Sequence, residues 1–320
     1  MDNKQSFFAN NLQLLTGKKQ KLDTFRPLPP ELVRNLDDWF KVELTYTSNA
    51  IEGNTLTRAE TALVVEKGLT VAGKSLTEHL EATNHAQALE YIKTLVDKNR
   101  QDITENDIFE IHKLILNKIE AGNAGRYRTQ HARLTQSDVV LPNPVKIPDL
   151  MQEFMRWLVS SNLDHIVKFA ADAHYKLVSI HPFSDGNGRT SRLLMNLLLI
   201  QQGYPPAIIR KEDRLAYINS LEKAQKGNGL DDFYNLIFEA VDRSLDIYLE
   251  AIEPERVSVT EPNPEQRFYT TEEVAKLLQV DPESVRRYVR SGKLRAVRLG
   301  GKFIRIDKAD LNNFIEGLKG

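Results

Sequence analysis

The chain has 320 residues, 41% hydrophobic and 27% charged, with a formal net charge of -1. That is the composition of an ordinary globular protein with room for two or three domains and at least one sizeable core. It contains no cysteine, which excludes disulfides, cysteine nucleophiles and thiolate metal sites and suits a reducing cytoplasm.

The N-terminal stretch MDNKQSFFANNLQLLTGKKQ lacks the uninterrupted apolar segment of a signal peptide. No stretch reaches the roughly 18 charge-free apolar residues of a membrane helix, so a soluble chain without a membrane partner is expected. Prolines at 27, 29 and 30 predict a break between a short N-terminal helix and the next segment. From there to about residue 252 apolar residues recur at spacings of three and four, the helical period; Ile166, Phe169, Ala170, Ala173, Leu177 and Ile180 form one such face, which runs into His181. Residues 125–144, GRYRTQHARLTQSDVVLPNP, break the pattern with short alternation and a proline-bounded end, and predict a β-hairpin. The proline-rich segment 253–265 predicts a linker. Beyond it, Thr270 or Thr271 caps one short helix and Asp281 with Pro282 opens a second. Two alternating strands about Gly300-Gly301 and a last helix from about Asp307 complete the order.

The densest chemistry lies in HPFSDGNGRTSR, residues 181–192, directly ahead of the apolar run LLMNLLLI. A helix N-terminus leaves amide N–H groups unpaired and carries positive partial charge, which favours an anion. Gly186, Asn187 and Gly188 sit where that helix must begin, and their glycines permit a backbone nest. Arg189 and Arg192, three apart, share one helix face and can grip further phosphates. Asp185 is suited to Mg²⁺, which is commonly held by one or two carboxylates plus phosphate oxygens. His181 can accept a proton from an incoming hydroxyl at neutral pH. Each feature alone has an ordinary explanation as a turn, a cap or a solvated face. Together they propose a nucleotide phosphate chain, a metal and a base.

Residues 181–192 match without departure the signature of the Fic family, His-Pro-Phe-x-Asp/Glu-Gly-Asn-Gly-Arg-x-x-Arg, and the resemblance extends over roughly residues 40–250, including GRYR at 125–128. It implies a mainly α fold, a helical bundle with a β-hairpin flap over 126–142 that positions a target protein by strand addition. It also implies transfer of AMP from ATP to a hydroxyl side chain of that protein. His181 would then be the general base, Asp185 the Mg²⁺ ligand, Gly186, Asn187 and Gly188 the anion hole, and Arg189 and Arg192 the grip on the outer phosphates, with Phe183 anchoring the loop. SNAIEG, residues 48–53, resembles the inhibitory motif of the family, with Ser48 and Glu52 as its working residues. Its ordinary alternative is a helix end capped by Gly53.

The tail resembles an excisionase-type or MerR-like winged helix-turn-helix. Residues 265–320 hold 12 Lys and Arg against 8 Asp and Glu, while the remainder holds 31 against 36, a basic module on an acidic body. Arg286, Arg287 and Arg290 would face duplex DNA, with Lys302 and Arg305 on the wing. The expected organisation is a helical region carrying the inhibitory motif (1–100), a catalytic domain (101–252), a linker (253–265) and a winged helix-turn-helix (266–320). The expected setting is a bacterial cytoplasm, with a homodimer among the admissible assemblies. Two other readings stand beside AMP transfer: a hydrolase that removes AMP from modified proteins, with Glu52 activating water, and a DNA-binding regulator that only senses nucleotide.

Overall fold

The computed structural model describes residues 2–134, 137–252, 268–278, 280–299 and 303–318. Residues Met1–Ile252 form one compact unit and Glu253–Gly320 a second. The larger unit is helical: α1 (Asp2–Asp23), α2 (Pro30–Ile51), α3 (Arg58–Lys67), α4 (Leu76–Thr94), α5 (Glu105–Ile115), α6 (Ile147–Ser160), α7 (Ile166–Ile180), α8 (Asn187–Gln201), α9 (Arg214–Gln225) and α10 (Asp231–Ile252). None is long and apolar enough to cross a membrane.

Helix starts follow local chemistry. Thr57 with Glu60, Ser75 with Glu78 and Thr104 with Asp107 form reciprocal capping boxes at α3, α4 and α5, each satisfying two otherwise orphaned backbone donors. Pro30 opens α2, where its missing N–H costs nothing. The N-terminal helix is longer than the expected short one: α1 runs 22 residues, buries Leu15 and Leu22 and packs along α10, where Phe8 meets Tyr234 and Phe238. Its own sequence is weakly amphipathic, so packing rather than pattern sets its length.

The centre of this unit is α8. Every residue from Arg189 to Leu199 is buried, and α7, α5, α4 and α2 pack around it. A helix buried on all faces is apolar all round, which accounts for LLMNLLL. It also carries the polar residues at its start into the interior, where Arg189 and Arg192 meet carboxylates and the Thr190 and Ser191 hydroxyls are left without partners.

Residues 126–142 correct the hairpin expectation, since the described part pairs into no strand. The guanidinium of Arg128 donates to the carbonyls of Gln130 (2.9 Å), Pro142 (2.7 Å) and His181 (2.8 Å), and the Arg128 amide donates to Pro182 O. A side chain therefore closes this loop where a ladder was expected, and Pro142 and Pro144 have no N–H to offer one.

The smaller unit contains β1 (Phe268–Tyr269), α11 (Thr271–Leu277), α12 (Pro282–Arg290), β2 (Val297–Leu299), β3 (Phe303–Asp307) and α13 (Lys308–Leu318). Thr270 is the cap of α11 and Asp281 that of α12. β2 and β3 pair antiparallel with Leu299 opposite Phe303, the two strands expected there, and β1 adds an edge on the other side of β3, which alternation did not predict for two residues. Val274, Val285, Leu294 and Ile306 form its core.

Candidate active site

The site is built on the junction between α7 and α8. His181 ends α7 in the left-handed conformation, φ 50° and ψ 57°, unusual for a residue with a Cβ and a conformation that clusters at functional sites. Its Nδ1 faces the carbonyl of Val178 at 3.4 Å, so Nδ1 is the donor and Nε2 the free acceptor. Burial pushes the His181 pKa down, the Val178 carbonyl partly opposes this, and the Arg128 charge adds to the depression. The imidazole is neutral at pH 7, as a proton acceptor must be.

Gly186 then starts α8 at φ 74°, and no side chain caps that helix. A Cβ on Gly186 would lie 3.2 Å from Ile115 Cγ2 and 3.3 Å from His112 Cδ2, so both conformation and space select glycine. Two residues brace the turn. Asn187 accepts from the Phe183 amide and donates to the Phe183 carbonyl, each at 2.9 Å; its side chain staples the loop, leaving its backbone to the nest. Phe183 is fully buried and stacks on His112, ring centroids 3.7 Å apart and 6° from parallel.

His112 has a determinate tautomer. Its Nδ1 accepts from the Gly125 amide at 2.9 Å, so its Nε2–H donates to the Asp185 carbonyl at 3.0 Å. Burial drives its pKa down to about 4, which keeps this neutral form across the physiological range. Nothing in the sequence marks this histidine, since a lone His on a helical pattern has no signature of its own.

The two motif arginines have different surroundings. Arg189 is buried, donating to Glu81 Oε1 at 3.1 Å and to Asp185 Oδ2 at 3.0 Å. It is thus placed against two carboxylates. Asn54 donates to the other Glu81 oxygen at 2.8 Å. Arg192 is also buried. Its Nε donates to Ser48 Oγ and its Nη2 to Ser48 O, both at 3.0 Å, its Nη1 donates to Tyr217 OH at 3.3 Å, and its Nη2 pairs with Glu52 Oε1 at 2.6 Å.

Glu52 is carried to Arg192 by the end of α2. Gly53, at φ 105°, terminates that helix, with the Asn54 amide returning to Asn49 O at 3.0 Å. The helix-end explanation of SNAIEG and the Glu52 contact therefore hold together. Arg214 Nε fastens the last carbonyl of α2, Ile51 O, at 2.7 Å. A Cβ on Gly188 would lie 2.5 Å from Glu52 Oε1 and 3.0 Å from Arg192 Nη1, so the carboxylate occupies the space kept open by the missing side chain.

Glu52, His181, Gly188, Arg192, Arg214 and Tyr217 line one cleft of about 370 Å³. Asp185 lies outside this lining, with its side chain 54% exposed. Among the described residues no three His, Asp or Glu side chains gather into a metal site. A cation here would need ligands beyond protein carboxylates, which fits Mg²⁺ completed by phosphate oxygens and water. In the smaller unit Arg286 and Arg290 pair with Glu283, and Arg287 donates to Ser284 Oγ at 3.3 Å. Lys302 and the side chain of Arg305 lie outside the described residues.

Comparison with known proteins is consistent with this geometry. Residues 102–199 match the Fic/DOC family and residues 268–319 a helix-turn-helix domain. The chain is 43% identical over 206 residues to a protein adenylyltransferase Fic of Nematostella vectensis, covering 64% of this chain and 48% of that protein. It is 45% identical over 213 residues to the protein of the same name from Aedes aegypti, covering 66% and 42%. It thus spans less than half the length of either, and these animal relatives give the expected bacterial origin no support. Among solved structures, Fic-1 (residues 134–508) from C. elegans shares 32% identity over 77% of this chain and 74% of that one, with a TM-score of 0.70. A Fic-domain signalling protein from Bacteroides thetaiotaomicron shares 32% over 76% and 98%, with a TM-score of 0.68.

Phe183→Ala should remove the stack on His112 and leave a cavity beneath the loop, lowering stability by about 3–5 kcal/mol. Urea unfolding followed by circular dichroism measures it. A loss below about 1 kcal/mol would mean that Phe183 is not the anchor of this turn.

Proposed function

Because the chain belongs to the Fic/DOC family, we propose that it transfers AMP from ATP to a hydroxyl side chain of another protein, and that Glu52 restrains this activity. The observation that carries the reading is the convergence of a neutral His181 and an uncapped helix N-terminus, with a buried guanidinium lining the same cleft. The target hydroxyl gives its proton to His181 Nε2 as its oxygen forms a bond to the α-phosphorus. The bond from that phosphorus to the bridging oxygen breaks, and pyrophosphate leaves. The first amides of α8, at Asn187 and Gly188, receive phosphate oxygens through backbone N–H groups. Arg192 Nη2 takes the outer phosphate. Mg²⁺ held by Asp185 would supply charge neutralisation to the triphosphate. Arg189 is set between Glu81 and Asp185, while its Nε has no partner and remains a free donor. The loop over 126–142 borders the cleft through Leu134 and Ser137 and exposes Val140, a surface for the target segment.

Restraint arises from competition for one guanidinium. Glu52 and a phosphate both seek Arg192 Nη2, and the Glu52 carboxylate stands against Gly188, where an oxygen bound by the nest would go.

For the tail we propose duplex DNA binding, supported by the helix-turn-helix match and by Arg287 and Arg290, both exposed on α12.

His181→Ala should lower the transfer rate by about 10²–10⁴ while ATP remains bound, as measured with labelled ATP in a Glu52→Gly background; an undiminished rate would remove His181 from its role. The active base is unprotonated and its pKa lies below the ordinary 6.5. The pH–rate profile should therefore hold its plateau to lower pH than a histidine of ordinary pKa would allow, and fall only as pH drops through the lowered value.

Glu52→Gly should raise transfer by about one to two decades, the worth of a charge-assisted contact, and Arg192→Ala should not reproduce the gain because the clamp is lost with it. Equal rates for wild type and Glu52→Gly on a verified target would end the restraint reading.

The full chain should bind random duplex DNA with an affinity that falls steeply with salt, and Arg287→Ala with Arg290→Ala should flatten that slope. Fluorescence anisotropy at low salt tests this; absence of binding would leave the tail a protein-docking module.

A further inference from the structure

Resting on the reading of Arg192 as the phosphate clamp, we infer that Tyr217 and His174 are positioning residues that hold this arginine independently of α2. Three of the four hydrogen bonds to its guanidinium come from α2 or its cap, two from Ser48 and one from Glu52. The fourth acceptor is Tyr217 OH, on α9. The nitrogens divide the work. Nη2 is the one held by Glu52, whereas Nη1 is the one held by Tyr217. Withdrawal of Glu52 exposes Nη2 to a phosphate and leaves Nη1 tethered. Ser48 still holds Nε and Nη2 from one side, and the tether on Nη1 fixes the other arm of the fork at the moment its aim is needed.

The tether is itself anchored. Arginine offers only donors, so the Tyr217 oxygen accepts from Arg192 and has its own proton to place. His174 Nε2, on α7, lies 2.8 Å away, and both rings are buried. His174 must then be the neutral Nδ1–H form, and burial with the nearby Arg192 charge lowers its pKa to about 3, which keeps it so. Its Nδ1 is buried without a hydrogen-bond partner. A leucine at this position would leave no such orphan. What the histidine gains in return is an acceptor aimed at Tyr217. The chain His174–Tyr217–Arg192 thus runs from the interior of the bundle to the cleft, which Tyr217 and Arg192 both line.

The test measures binding rather than turnover. In a Glu52→Gly full-length chain, calorimetry gives the Kd of ATP and of AMP. Tyr217→Phe, which removes one oxygen and keeps the ring, should raise the ATP Kd about tenfold, the order expected for one lost hydrogen bond, and leave AMP within about twofold. His174→Leu should behave the same way. His174→Gln restores an acceptor for the tyrosine proton and should bring ATP back to within about threefold of the parent. An unchanged ATP Kd in Tyr217→Phe overturns the inference, as does equal weakening of AMP, which would signify general distortion. Arg192→Ala in the same background separates the two levels. If it weakens ATP while Tyr217→Phe does not, only the tether falls; if it leaves ATP untouched, the clamp reading falls and the tether with it.

Discussion

A guanidinium held away from water is the constraint around which this site is organised. Arg192 is only 5% exposed, and an uncompensated buried charge costs several kcal/mol. The charge is tolerable only because oxygen acceptors from two separate helices meet it: Ser48 and Glu52 from α2 with its cap, Tyr217 from α9. That requirement fixes where α2 must end and where α9 must begin. Arg214 adds to it by taking the Ile51 carbonyl, which secures the same helix end that delivers Glu52. The packing of α2 against α8 is thus an electrostatic arrangement as much as an apolar one.

The second constraint comes from α8 itself. A helix buried on all sides supplies a rigid axis, but its first turn brings Asn187, Arg189, Thr190, Ser191 and Arg192 into the interior with it. Each charged member of that turn has found a partner, and the partners come from far along the chain: Glu81 for Arg189, Glu52 for Arg192. The Thr190 and Ser191 hydroxyls have none, and no side chain caps the amides of the helix. An uncapped N-terminus at the mouth of a cleft, beneath a histidine held in a left-handed conformation, is the arrangement that an anionic substrate completes.

What the sequence made legible was local. The spacing within HPFSDGNGRTSR placed His181, Gly186 and Arg192 at one turn because a helix start reads directly from consecutive residues, and the apolar run after it announced a buried helix. The strand pair about residues 297–307 was legible for the same reason. Partners distant in the chain were not: His112, Glu81, Tyr217 and His174 sit in ordinary helical patterns, and only the fold brings them to the motif. The hairpin expectation failed within its own segment. Alternation over 125–144 resembled a strand, but Arg128 claims the carbonyls of Gln130 and Pro142, and a weak β pattern is readily overridden by such contacts. Glu52 lies between these cases, since a short motif suggested it and only the end of α2, set by Gly53, carries it to Arg192.

The asymmetry of the Glu52–Arg192 pair gives the proposed restraint its direction. The Glu52 side chain is 36% exposed and that of Arg192 6%. When the pair opens, the carboxylate can rotate into water and recover its hydration, whereas the guanidinium stays behind in the interior. Opening therefore costs little on the acid side and leaves an unmet demand on the basic side. Ser48 and Tyr217 are neutral and cannot meet it, because they provide hydrogen bonds without a countercharge. That demand is specific to an anion with oxygens at hydrogen-bonding distance from Nη2, and its neighbour is the nest at Gly186–Gly188. A buried arginine with one removable carboxylate would in this sense select its next occupant by charge, and in the proposed restraint Glu52 holds the place that a phosphate would take.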